Sequence, residues 1–123
     1  MRIELGRVRD LLDDGGSADD EHRVLVDRLW PRGIAKERLA HDAWDKDIAP
    51  SPELRKAFHA GELDFEQFRE HYLGELSGSG APRRLLEAAT DAEANTIVLV
   101  YAAKDSEHNH ARVLREALED LIS

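Results

Sequence analysis

The chain has 123 residues, no cysteine and a formal net charge of -9 at pH 7. That length suits one domain with its own hydrophobic core. The absence of thiols excludes disulfides, thiolate metal sites and a cysteine nucleophile, and a surface this acidic repels nucleic acid while leaving room for a local basic cleft that holds a small anion. No apolar run reaches membrane-spanning length and the N-terminus MRIELGRV lacks a signal-peptide core, so a soluble, cytoplasmic protein without a membrane partner is expected.

In chain order, Ile3 to Val8 alternates weakly and reads as a first strand. Asp10 to Glu21 is rich in Asp, Gly and Ser and reads as an acidic, flexible surface loop. Arg23 to Trp30 reads as a second strand, with Val24, Val26, Arg28 and Trp30 on one face and Leu25, Asp27 and Leu29 on the other. Pro31-Arg32-Gly33 breaks it. Lys36 to Ala40 suits one helical turn, and Asp42 to Ile48 suits a short extended or edge segment.

Ser51-Pro52-Glu53 is a helix start, with a capping hydroxyl, a proline at the first helical position and an acid at the positive end of the dipole. Leu54, Ala57 and Phe58 form its apolar stripe and Gly61 ends it. Asp64 to Gln67 forms a capping box before Phe65, Phe68, Tyr72, Leu73 and Leu76 at helical spacing, where Tyr72 reads as core. Pro82 opens a further helix with Leu85, Leu86 and Ala89 inward. The last helix puts Ala111, Leu114, Leu118, Leu121 and Ile122 on one face.

Between these two helices lies IVLVYAAKDSEHNH, Ile97 to His110. A fully apolar strand of this kind is covered on both faces and is central and parallel-paired. The fold class expected is α/β, a single compact domain over residues 1–123 with a small, mostly parallel sheet flanked by helices. In open α/β sheets, ligands bind outside the carboxyl ends of such strands.

Three groups of residues are candidates for chemistry. Lys104, Asp105, His108, Asn109 and His110 combine a helix start, a cation and two imidazoles, which suits anion binding or acid–base work near neutral pH. On the alternative reading Asp105 or Ser106 simply caps the helix and His110 flanks the core. His108, on the side of Arg112, is the better acid–base candidate. The tripeptide His108-Asn109-His110 is not a nuclease signature, because side chains two apart on a helix diverge and cannot close on one metal; no metal site is expected.

Asp27, Arg28, Trp30, Arg32 and Gly33 form the second group. Arg28 and Arg32 suit a bidentate anion clamp. Asp27 and Trp30 read rather as a structural ion pair with a distant Arg and as core, since structural pairs also resemble sites. In the third group, Lys46, Asp47, Pro50, Ser51 and Arg55, Ser51 is first a cap, while Lys46 and Arg55 stand near that helix start. His22, His41, His59 and His71 read as surface residues without partners. There is no phosphate-binding glycine loop, dinucleotide fingerprint, nucleophile elbow or zinc-binding helix motif.

The strings RVLVDRLWPRG, DAWDKDIAPSPELR and YAAKDSEHNHA, in this order, resemble the YeaO-like branch of the domain-of-unknown-function 488 family. The resemblance runs from about Arg23 to the last helix. It implies an α/β fold and carries no established activity. Longer relatives have cysteines near the last motif; here Tyr, Ala, Asn and His stand there, so thiol chemistry does not transfer. Some members carry a transcriptional-regulator label, which this acidic chain without a basic recognition helix does not support.

The geometric expectation is that the loop after Tyr101 meets the loop after Trp30. The resulting cleft would hold Arg28, Arg32, Lys104, Asp105, His108 and His110, joined by Lys46, Arg55 and Asn109, around a small anionic ligand. Two functions stay open. In one, an enzyme without a cofactor uses His108 as general acid or base, with Asp105 orienting it and His110 beside it, on a phosphorylated or carboxylated small molecule. In the other, the chain is a non-enzymatic small-ligand sensor or protein-interaction module.

Overall fold

A computed structural model describes residues 1–16 and 18–123. Its strands are β1 (Arg2–Arg7), β2 (Glu21–Leu25), β3 (Ala43–Trp44) and β4 (Thr96–Tyr101), and its helices are α1 (Val8–Leu11), α2 (Pro52–His59), α3 (Phe65–Ser77), α4 (Ala81–Asp91) and α5 (His110–Ile122). Two 3-10 turns, Lys36–Arg38 and Lys46–Ile48, flank β3. The sheet runs in the order β1-β4-β2-β3 and every pairing is parallel.

The apolar run of β4 takes the central place, with all six residues buried. It needs partners on both edges and packing on both faces. β1 and β2 supply the edges, in registers that set Arg7 opposite Tyr101 and Leu25 opposite Val100. On one face Ile97, Leu99 and Tyr101 join Phe68, Tyr72, Leu85, Leu114 and Leu118 in the main core. On the other, Val98 and Val100 meet Val8, Leu25 and Leu39, with Leu11, Trp30, Ile34 and Trp44 around them. Gly6 is required by this packing, because a methyl there would stand 2.9 Å from both Leu11 Cδ1 and Val98 Cγ1.

The helix signals in the sequence act as read. Ser51 Oγ accepts the Leu54 N–H at 3.2 Å, and the capping box of Asp64 and Gln67 is complete on both sides. Gly61, at φ 77°, takes the left-handed position that ends α2. Tyr72 is fully buried and its hydroxyl donates to the Ile48 carbonyl at 2.6 Å. Leu121 and Ile122, expected on the buried stripe of α5, are each 43 % exposed; the buried stripe of the helix ends at Leu118.

The second strand is shorter than its pattern. It stops at Leu25, not Trp30: the Val26 N–H still donates to the Val100 carbonyl at 3.0 Å, but the next two carbonyls go to side chains. The Val26 carbonyl accepts from His110 Nε2 at 3.1 Å, and the Asp27 carbonyl accepts from the Trp44 indole at 2.8 Å. The chain then turns, so Trp30 packs with Leu25 and Trp44 on the second face instead of beside Val24. In the acidic segment, Asp14 makes a two-bonded pair with the buried Arg23, at 3.1 and 2.8 Å, and Asp13 pairs with Arg38. Ser17 lies outside the described residues.

Candidate functional site

A cavity of about 360 Å³ opens at the carboxyl ends of β2 and β4. Three segments build it. The turn after β2 supplies Asp27, Arg28 and Leu29, helix α2 with the residues before it supplies Pro50, Arg55, Phe58 and His59, and the β4–α5 loop supplies Lys104, His108, Asn109 and His110. Phe68 of α3 closes one side. These loops meet there because parallel strands deliver all their carboxyl ends to one side of the sheet.

The anchor is an acid–imidazole pair. Asp27 Oδ2 accepts the Ala102 N–H at 3.0 Å, which stitches the end of β2 to the end of β4. Its Oδ1 lies 3.2 Å from His110 Nε2, and the two side chains are only 17 % and 16 % exposed. The Val26 carbonyl can only accept, so Nε2 carries the proton and the imidazole donates into the space between that carbonyl and the carboxylate. Asp27 therefore finds a histidine and a backbone amide, not the arginine expected from the sequence.

The loop before α5 also differs from its reading. The helix starts at His110 and its cap is Asn109, whose Oδ1 accepts the Arg112 N–H at 3.2 Å while its amide donates to the Asp105 carbonyl at 2.8 Å. Asp105 caps the preceding turn instead: Oδ1 accepts the Glu107 and His108 N–H groups at 2.9 and 3.0 Å. Those two backbone bonds, with His108 adding to them, hold its carboxyl below the usual carboxylate range. His108 is thus in the loop and does not share a helical face with Arg112. Its Nδ1 lies 3.1 Å from Asp105 Oδ2, its ring meets Phe65 edge-on, and it reaches the cavity lining.

Of the basic candidates, the structure brings together Arg28, Arg55 and Lys104, with Asn109, His108 and His110. Arg28 donates from Nη2 to the Pro50 carbonyl at 3.3 Å, and its Nε is buried without a partner among the described residues. Arg32 and Lys46 stand outside the cavity. Arg32 is exposed in the Pro31–Gly33 bend. The Lys46 ammonium sits 4.2 Å from the Trp44 ring centre, where the indole face attracts it. Asp105 does not line the cavity and contacts His108, which does.

His59, read from the sequence as a partnerless surface residue, lines the cavity. The signal for it was present: Arg55, Phe58 and His59 stand at i, i+3 and i+4 on α2 and so share one face. His41 also has partners, the Leu39 carbonyl at 2.8 Å from its Nδ1 and the Trp30 ring. Among the described residues, no group of three or more His, Asp or Glu stands placed to share a metal ion, and no helix is long and apolar enough to cross a membrane.

Comparison with known proteins gives a family. A family model described as "Inactive DUF488-N3 subclade" matches residues 2–123. The chain is 46% identical over 121 residues to the uncharacterized protein YeaO of Escherichia coli (strain K12), covering 98% of this chain and 100% of that protein. It is 37% identical over 117 residues to the uncharacterized proteins Rv3073c of Mycobacterium tuberculosis and Mb3100c of Mycobacterium bovis, covering 95% of this chain and 93% of theirs. No solved structure matches.

Proposed function

The chain belongs to the DUF488 family, in its YeaO-like branch, and from that premise we propose that it binds a small organic anion in the cavity at the carboxyl ends of β2 and β4 and releases it unchanged. The observation that carries this reading is the convergence of Arg28, Arg55 and Lys104 on one concave site of a chain whose net charge is -9. Three cations gathered against that background favour an anion by local field and by hydrogen bonding. The site opens where α/β sheets hold ligands.

Binding without turnover is supported by how the polar groups are used. His110 and Asp27 bind each other and the backbone of both strand ends, which makes them struts of the site. His108 meets Asp105 through its Nδ1 and reaches the cavity lining, where it can contact a ligand; intact recovery of the ligand reads whether it also turns it over. The description of the matched subclade as inactive points the same way.

The test is a thermal-shift screen of the full chain with small carboxylates and phosphates, repeated on Arg55→Gln/Lys104→Gln. A ligand at a hundred times its Kd adds about 2.7 kcal/mol and raises Tm by several degrees. The expected result is such a rise in the native chain, its loss in the double variant, and recovery of the ligand intact after prolonged incubation. No rise with any member of the panel overturns the binding role. Conversion of the ligand overturns its non-catalytic character.

A further inference from the structure

We infer that the molecule this cavity takes is a monocarboxylate with an apolar body, such as an aryl or branched acyl acid, and not a phosphate ester. The inference rests on the binding role proposed above and is carried by what the cavity offers and what it withholds.

It withholds two of its backbone amides. Phosphate sites at loops and helix starts are built from free N–H groups converging on the anion. Here the N–H of Ala102 is held by Asp27 and that of His108 by Asp105, so at these two lining residues the backbone offers an oxyanion nothing. The charged donors for an incoming oxyanion are the side-chain cations. Arg55 presents a planar fork, which matches a planar carboxylate with two parallel bonds, and Lys104 adds a point charge. The Asp27 carboxylate in the lining adds a negative charge that disfavours a dianion more than a monoanion.

It offers apolar wall. Phe58 stacks on Phe68 with ring centres 4.5 Å apart, and Phe68 is 2 % exposed, so this side is packed and apolar. A ribose or phosphate set against it would lose water without gaining partners. Leu29, in the lining, is 68 % exposed and is surface that a bound apolar body would cover. A cavity of about 360 Å³ holds a molecule of the size of phenylacetate.

The experiment is calorimetric titration of the full chain, at one fixed salt concentration, with phenylacetate, acetate, inorganic phosphate and adenosine monophosphate. Phenylacetate is expected to bind at least tenfold tighter than each of the other three. Arg55→Gln should weaken it about tenfold, and Phe58→Ala should do the same while leaving acetate unchanged. Leu29→Ser, at a position too exposed to affect folding, should weaken phenylacetate about threefold and keeps the apolar contact testable if Phe58→Ala does not fold. Phosphate, the nucleotide or acetate matching phenylacetate overturns the ligand class and leaves the binding role standing. Failure of all four to bind overturns both.

Discussion

The His110 imidazole joins the end of β2 to the start of α5: its Nε2 stands 3.1 Å from the Val26 carbonyl and 3.2 Å from Asp27 Oδ1. Asp27 in turn accepts the Ala102 N–H from the end of β4. Three elements therefore share one small polar knot at the floor of the site. The knot gives the Asp27 carboxylate, just beyond the end of β2, a backbone donor where an unpaired buried charge is costly.

Asp27→Ala should destabilise the fold by about 1–3 kcal/mol, since it leaves the Ala102 N–H without its acceptor and removes the carboxylate beside His110, whose Nε2 keeps the Val26 carbonyl. Asp27→Asn keeps one oxygen for Ala102 and should cost less. Urea unfolding of the two variants checks the order. Equal stability of Asp27→Ala and the native chain contradicts it.

Leu99 lies at the middle of the central strand and is fully buried. Leu99→Ala should cost about 2–5 kcal/mol, through lost transfer energy and the cavity left behind. The same substitution at Leu121, which is 43 % exposed, should change stability far less. Denaturation midpoints of the pair read the difference directly.

Alkaline pH should unfold the protein partly through Tyr72. Burial pushes its phenol well above the usual range, and the negative charges of Glu75, Asp45 and Asp27 add to that. A raised folded value means the contribution is complete below the unfolded value of about 10 and declines as pH rises above it, because ionisation favours the unfolded chain. Tyr72→Phe should lower stability at pH 7 by about 1–2 kcal/mol, for the lost bond to Ile48, and should flatten the fall above pH 10. An unchanged alkaline slope in the variant contradicts this.

The opposite sign holds at Asp14. Its bond to the Arg23 guanidinium, helped by the Gly16 N–H, holds its carboxyl below the ordinary range. A lowered folded value contributes stability above the unfolded value of about 3.9, and that stability is lost as pH falls through the folded value. Asp14→Asn should therefore narrow the stability difference between pH 6 and pH 2, measured by urea midpoints at both.

Periodicity and caps read well wherever the cause is local. The apolar β4, the Ser51 cap, the Asp64–Gln67 box and the Tyr72 stripe all act within a few residues of themselves. The side of the sheet was legible, because parallel strands send their carboxyl ends one way, but the segment was not: the loop after Trp30 was expected at the cavity, and residues 27–29, read as strand, line it instead. What was not legible depends on partners distant in the chain. Val26 and Asp27 look like strand residues until His110 and Trp44 take their carbonyls. Asp105 looks like a helix cap until Asn109 takes that place four residues later. Arg32 and Arg28 have the same chemistry in the sequence, and only the bend at Pro31–Gly33 sends Arg32 away from the cavity.

The most direct test of the binding site is a two-dimensional amide NMR titration of the native chain and of Arg55→Gln/Lys104→Gln with phenylacetate. The account predicts shifts confined to Leu29, Phe58, Ala102–Lys104 and His108–His110 in the native chain, and none in the variant. Shifts centred elsewhere, such as around the Asp13–Arg38 ion pair, or shifts undiminished in the variant, would contradict it.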